Sequence, residues 1–334
     1  MPMIEARGLA RTFTSRKRKV EAVRGVDLTV ADGEIVGFLG PNGAGKTTTL
    51  RMLTTLLRPT AGTATVAGAD LLADPVGVRR RIGYDAQAIG ATGGGSDPNA
   101  TVAEEITLQA QLYRVPRDQT AARTKVLTSQ LELTGLDDRL VKTLSGGQRR
   151  RLDIALGLVH SPGLVFLDEP TTGLDPQSRS NLWHHIRQLR EELGTTVFLT
   201  THYLDEADAL CDRILVIDYG QIVAAGTPDD LKRRISGDVI TLAVGGSPEA
   251  ARGVLASQPE VREVLTVDRS LRLTVDRGEA SLPGLLRALD AAGITLESIQ
   301  LARPSLDDVF LTVTGRSLRE DSPAEAAEPV PAGR

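Results

Sequence analysis

One stretch, Gly40-Pro41-Asn42-Gly43-Ala44-Gly45-Lys46-Thr47, constrains this chain more than any other. It fits the pattern G-x-x-x-x-G-K-[ST] in full. Before it, the apolar run Ile35 to Leu39 reads as a buried strand, and after it Lys46 to Leu57 reads as a helix. A strand turning through such a loop into a helix is a unit of α/β folds. The glycines let backbone N–H groups point inward around an anion, and the helix N-terminus adds the positive end of its dipole. Lys46 can reach the β- and γ-phosphates of a nucleotide, the Thr47 hydroxyl can coordinate Mg²⁺, and Thr48 follows on the same turn. A chance glycine-rich turn would not account for the strand on one side and the helix on the other. The loop is therefore read as a nucleotide site.

The rest of the chain agrees with an α/β core. Leu164 to Leu167 and Thr196 to Thr200 read as two further buried strands, while from Thr101 to His160 helical patterns take over, at Val102 to Leu112 and Gln119 to Leu131. That places a helical subdomain at about 101–160 inside a first domain spanning 1–231. Past the turn signal Gly226-Thr227-Pro228 the pattern changes. Strands are predicted at Val239 to Val244, Val261 to Val267, Leu271 to Val275 and Ile294 to Leu301, with helices at Pro248 to Ser257 and Leu282 to Ala292. The order βαββαβ is that of a small α+β, ferredoxin-like module, assigned to 236–315, with a last helix from Ser305 to Val313. The tail 316–334 has almost nothing apolar to bury and is read as disordered.

Composition narrows the function classes. The 334 residues carry 39 Lys and Arg against 43 Asp and Glu, a net charge of −4, which argues against a nucleic-acid partner. The strongest basic run, Arg16-Lys17-Arg18-Lys19, is read as a solvated hairpin loop beside Phe13. The lone Cys211 suits a reducing compartment. No apolar run approaches the ~18 residues of a spanning helix, so work at a membrane requires a partner.

Hydrolysis needs a second element. Leu164-Val165-Phe166-Leu167-Asp168-Glu169 is an apolar strand ending in two carboxylates. Asp168 can hold the metal, and Glu169, projecting differently, can polarise the attacking water.

Leu144-Ser145-Gly146-Gly147-Gln148, followed by Arg149-Arg150-Arg151, resembles the signature sequence of ABC-type ATPases. By itself, a glycine pair beside a serine at a helix start could form an anion nest in its own chain. The resemblance implies instead that Ser145, Gly146, Gly147 and Gln148 close over the γ-phosphate bound to a second copy. It further implies a P-loop NTPase core and roles for four more residues. Phe13 stands where the adenine-stacking aromatic is expected. Gln87, after Ile82-Gly83-Tyr84, matches the glutamine that senses Mg²⁺ and the attacking water. Asp175, in Gly173-Leu174-Asp175-Pro176, matches the loop that communicates across the dimer, and His202 matches the γ-phosphate histidine.

The ending Arg303-Pro304-Ser305-Leu306-Asp307-Asp308-Val309-Phe310-Leu311 is similar to that of daunorubicin-resistance-type exporter ATPases, which pair with a separately encoded permease. At the same time Leu306, Val309, Phe310 and Val313 have the spacing of a helix's apolar face. One departure from the family is the glycine-rich stretch at 90–98, which could tune coupling to a permease or be a tolerated surface insertion. The resemblance implies an ATP- and Mg²⁺-dependent ATPase, a homodimer seated on the cytoplasmic face of the cell membrane, driving efflux of a drug-like or lipid-like compound. An importer ATPase with a regulatory C-terminal domain and a soluble non-transport ABC ATPase are the alternatives.

Overall fold

The computed structural model describes residues 1–15, 18–85, 96–234, 238–267, 270–302 and 305–315. Gln87, Arg16-Lys17, most of the glycine-rich stretch and the tail 316–334 lie outside the described residues. Contacts divide the chain into two compact units, Met1–Ala225 and a second beginning at Gly226, whereas the sequence pattern sets the boundary after Leu231.

The first ten strands are β1 (Ile4–Ser15), β2 (Arg18–Val30), β3 (Ile35–Leu39), β4 (Ala61–Val66), β5 (Ala69–Asp70), β6 (Ile82–Asp85), β7 (Leu164–Asp168), β8 (Thr196–Thr201), β9 (Arg213–Asp218) and β10 (Gln221–Gly226). β3, β7 and β8 are buried residue for residue. Strands covered on both faces must be apolar throughout, which is why they read as unbroken runs. They lie in a six-stranded sheet ordered β10-β9-β3-β8-β7-β6. β3 runs parallel to β8 and β9, and β7 parallel to β6 and β8. Phe198 of β8 packs between Phe38 and Phe166, with ring centroids 5.6 Å away on either side in tilted geometry. Parallel pairing brings the carboxyl ends of β3, β6, β7, β8 and β9 to one edge of the sheet. Leu39 pairs with Thr201 and Asp168 with Thr200, so the loop after β3 emerges beside the ends of β7 and β8.

A second sheet, β2-β1-β4-β5, is antiparallel. Its Ile4, Val26 and Val30 share one core with Val36, Phe38 and Leu50. β9 and β10 are joined by Tyr219 and Gly220, both in the left-handed region (φ 45° and 78°), as a two-residue primed hairpin turn requires. The Gly220 N–H donates to the Ala44 carbonyl at 2.9 Å, and its own carbonyl accepts the Arg24 N–H at 2.8 Å. This turn thus ties β2 to the loop after β3.

The helix after that loop is shorter than predicted, running Lys46–Leu53 rather than to Leu57. The Thr54 hydroxyl bonds back to the Leu50 carbonyl at 3.0 Å, competing with the helical ladder. Thr55 then adopts φ 66°, and the apolar spacing of the leucines beyond it does not prolong the helix. Between β6 and β7 the described residues form helices Val102–Leu112, Arg117–Gln130 and Gly146–Leu158 with a short 3₁₀ turn, Val141–Thr143. Thr101 and Glu104 form a reciprocal capping box that starts the first of these.

In the second unit the strands are β11 (Asp238–Val244), β12 (Val261–Val267), β13 (Ser270–Val275) and β14 (Leu296–Ala302), with helices Pro248–Ala256 and Gly278–Ala291. The sheet is ordered β12-β13-β11-β14 with antiparallel pairs throughout, the split βαβ arrangement. Ile240, Leu242, Leu271 and Leu273 of the sheet face Leu255, Leu285 and Leu289 of the helices. The helix predicted from Leu282 starts at Gly278. The Asp238 carboxylate accepts the Gly278 N–H at 2.7 Å and the Ser281 hydroxyl donates to the Arg277 carbonyl at 2.9 Å, anchoring the extra turn before Pro283.

The closing helix Leu306–Thr314 packs against the helix Pro228–Arg234. Leu306, Val309 and Phe310 are buried as their spacing predicts, but Val313 is exposed and Leu311 is buried in its stead. Ser305 and Asp308 cap the helix reciprocally. The Arg272 guanidinium pairs with Asp307 at 3.0 Å and with Asp308 at 3.1 Å, and both acids are buried. The acidic pair of this ending is therefore turned inward as an anchor.

Candidate nucleotide site

The loop from Gly40 to Thr47 is shaped by main-chain crowding. A Cβ on Gly40 would overlap the Ile217 carbonyl oxygen, and one on Gly45, whose φ is 108°, would lie 2.6 Å from that of Ala22. Only glycine tolerates both the angle and the approach. Pro41 and Ala44 are buried while Asn42 and Gly43 face outward. Lys46 is 4% exposed, and its Nζ donates to the carbonyls of Gly40 at 2.7 Å and Pro41 at 3.1 Å. Nζ also lies 3.4 Å from Glu169 Oε1. Burial pushes the ammonium below the usual lysine range, although the neighbouring Glu169 pulls the other way.

At the end of β7 the buried Asp168 accepts two hydroxyls on Oδ1, from Thr47 at 3.2 Å and from Thr200 at 2.6 Å. The next residue leaves the strand. Glu169 has φ 48°, and its N–H donates to both the carbonyl (3.1 Å) and the hydroxyl (3.0 Å) of Thr200. The turn points its carboxylate at Lys46 on one side and at His202 Nδ1, 3.3 Å away, on the other. The Thr172 hydroxyl donates to Oε2 at 3.2 Å. Burial pushes the Glu169 carboxyl up, but the His202 ring and the Lys46 charge outweigh it and hold the group at about 2. Thr47 and Asp168 together present hard oxygen donors, which suit Mg²⁺ rather than a softer metal.

The structure thus assembles Lys46, Thr47, Asp168, Glu169 and His202 in one cluster, with Thr48 half-buried on the same helical turn. Ser145 is the N-cap of the helix Gly146–Leu158. Its Oγ accepts the Gln148 N–H at 3.2 Å, and its own N–H donates to Gln148 Oε1 at 3.0 Å. Gly146 is exposed, and a Cβ on Gly147 would sit 3.3 Å from Ser178 Oγ. Ser178 in turn bonds Asp175, the N-cap of the helix Pro176–Leu193, through its N–H at 2.9 Å and its hydroxyl at 2.6 Å. The signature segment and Asp175 are therefore neighbours. Phe13 is exposed, pairs across the hairpin with Val20, and has the Arg11 guanidinium over its ring at 4.8 Å. Sequence reasoning missed Thr200 and Thr172. In the sequence Thr200 is one β-branched residue of a strand, and only its place opposite Asp168 gives it a role.

Residues 23–172 match the family described as ABC transporter, and residues 226–314 match the family described as ATP-binding protein DrrA1-3-like, C-terminal domain. The chain is 41% identical over 327 residues to the daunorubicin/doxorubicin resistance ATP-binding protein DrrA of Streptomyces peucetius, covering 97% of this chain and 96% of that protein. The chain belongs to the ABC transporter ATP-binding proteins of the daunorubicin-resistance type. It is also 35% identical over 320 residues to the Nod factor export ATP-binding protein I of Ralstonia nicotianae, with 96% of each covered. Among solved structures, a dimeric post-hydrolysis state of an ATP-binding cassette bound to ADP and Pi matches 67% of this chain and 98% of its own, at 26% identity and a TM-score of 0.60. The chain is accordingly an ATP-hydrolysing subunit of the ABC exporter class. Among the described residues no helix is long and apolar enough to cross a membrane.

Proposed function

We propose that two copies of this chain face head to tail and bind ATP between the loop Gly40–Thr47 of one and the segment Ser145–Gln148 of the other, to drive a separate membrane permease from its cytoplasmic side. The observation that carries this reading is the cluster at the sheet edge, in which Lys46 lies 3.4 Å from Glu169 and Thr47 3.2 Å from Asp168. Lys46 neutralises phosphate charge, and the backbone N–H groups of the loop orient it. Thr47 and Asp168, with Gln87, would hold Mg²⁺, which when bound offsets charge on the phosphate oxygens. Glu169 is ionised at neutral pH and serves as the base for the attacking water, with His202 positioned to hold the γ-phosphate side. Phe13 offers its exposed ring to the adenine and Asp175 relays between the copies.

An open groove of about 450 Å³, lined by Leu56, Val76, Arg79, Tyr84, Leu112 and Arg114, supports a docking place for the permease. A drug-like cargo is supported by the relative named for daunorubicin and doxorubicin resistance; a lipid-like cargo is the alternative that the family resemblance implies.

Purified full-length protein provides the test. Glu169→Gln is expected to retain ATP while losing ~10²-fold or more of its turnover, the scale of a lost general base. Near-parental hydrolysis in that variant removes Glu169 from the role. Affinity purification from solubilised native membranes is expected to recover a multi-spanning permease. Recovery with ribosomes alone would overturn the transport reading.

A further inference from the structure

A basic side chain outside the nucleotide cluster grips its backbone from behind. Arg150 stands on the helix Gly146–Leu158, the one that Ser145 caps. Its Nε donates to the Pro170 carbonyl at 2.9 Å and its Nη2 to the Asp168 carbonyl at 3.2 Å. Those two carbonyls flank Glu169. The same guanidinium closes on Asp85, with Nη1 to Oδ1 at 3.2 Å and Nη2 to Oδ2 at 3.1 Å. Asp85 is the last residue of β6 and is 3% exposed. Only a planar fork of donors can serve three acceptors on two strand ends while keeping its charge against the second Asp85 oxygen, and a lysine ammonium cannot. Removing the guanidinium would leave a buried carboxylate without its counter-charge, which is strongly unfavourable.

Glu169 needs such support. Its φ of 48° is uncommon for a residue with a side chain, and it persists where the surroundings over-determine it. Thr200 holds its N–H from one side. Arg150 holds the carbonyls of the residues before and after it, Asp168 and Pro170, from the other.

We propose that Arg150 is a positioning residue for Glu169: it transmits the placement of the helix capped by Ser145 to the backbone that aims the Glu169 carboxylate, with Asp85 as its buried counter-ion. This rests on the reading of Glu169 as the base. When a second copy engages Ser145–Gln148, any displacement of that helix reaches the Asp168–Pro170 backbone through a rigid guanidinium rather than through a flexible loop.

The test compares the full-length parent, Arg150→Gln, Arg150→Lys, Glu169→Gln and the double variant Arg150→Gln/Glu169→Gln. Equilibrium binding of a fluorescent ATP analogue is measured alongside single-turnover ATP hydrolysis with protein in excess. Arg150→Gln is expected to lower the hydrolysis rate by ~10- to 100-fold, the effect of misplacing a reacting group by about an ångström, while analogue affinity changes by less than about threefold. Arg150→Lys, which keeps the charge but not the fork, is expected to stay low. In the Glu169→Gln background the Arg150 change is expected to cause no further loss. A parental rate in Arg150→Gln, an equal drop in affinity, or the same proportional loss in both backgrounds each overturns the proposal. A parental rate in Glu169→Gln overturns the base reading instead. Should Arg150→Gln lack a cooperative melt, Arg150→Lys alone and combined with Glu169→Gln replaces it, and the same rates and affinities support or overturn the proposal.

Discussion

Replacing Thr200 by valine tests whether the strand beside β7 holds the Asp168 carboxyl in place. The two side chains have the same shape, and Thr200 is fully buried, so the change opens no cavity. What is lost is a 2.6 Å hydrogen bond to the Asp168 carboxyl group, and hydrogen bonds to charged groups are worth about 1.5–3 kcal/mol. The Glu169 N–H keeps the Thr200 carbonyl as acceptor, so its loss is partial. A buried methyl in place of the hydroxyl returns at most about 0.8 kcal/mol. The net cost is about 1–2 kcal/mol, which for a unit of this size lowers Tm by roughly 2–8 °C. Asp168 is then held on Oδ1 by Thr47 alone, and the Mg²⁺ concentration for half-maximal ATP hydrolysis is expected to rise ~10-fold, one decade for each 1.4 kcal/mol. Thr54→Val is the matched control, because it deletes a neutral bond to the Leu50 carbonyl outside the site. It is expected to cost about 1 kcal/mol with no change in the Mg²⁺ requirement. A Thr200→Val protein that melts with the parent and needs no more Mg²⁺ refutes the reasoning.

Two further outcomes follow from charge placement. Glu169 is held at about 2 against an ordinary value of 4.5, so its contribution to stability is complete above about 4.5 and is lost as pH falls toward about 2. The gap in urea midpoint between the parent and Glu169→Gln is expected to narrow across that window, and a constant gap would contradict it. In the second unit, Arg272→Met removes the guanidinium from buried Asp307 and Asp308, at a cost of about 3–5 kcal/mol. Amide exchange in Leu306–Thr314 is expected to accelerate sharply; unchanged protection would show that the pair does not anchor that helix.

What the sequence made legible was what local rules govern. β3, β7 and β8 are fully buried parallel strands, so their apolar runs announce themselves, and the loop Gly40–Thr47 is a contiguous pattern in which Gly40 and Gly45 have a steric reason to be glycine. The order βαββαβ of the second unit was readable from its alternation of strand and helix patterns, and the sheet order β12-β13-β11-β14 is the one that order adopts in a split βαβ module. Less legible was whatever depends on residues distant in the chain. Thr200 gains its role from register with Asp168, and Arg150 gains its role from Asp85 on β6 and the carbonyls flanking Glu169. A back-bonding hydroxyl at Thr54 ended a helix that apolar spacing would have prolonged. A carboxylate on β11 started another helix a full turn early.

The meeting of three segments beneath the phosphate loop carries a lesson for anyone building variants of this chain. Gly40 abuts the Ile217 carbonyl, Gly45 that of Ala22, and Gly220 spans Ala44 and Arg24. Here the polypeptide recognises itself by peptide groups, with no side chain in between. A combinatorial library can therefore randomise Asn42, which points outward, with little penalty to folding, whereas Gly40, Gly45 and Gly220 leave no room for any alphabet larger than one letter. Selection on such a library would record the contact as three silent columns, with that of Gly220 far along the alignment from the other two and within touching distance of them in space.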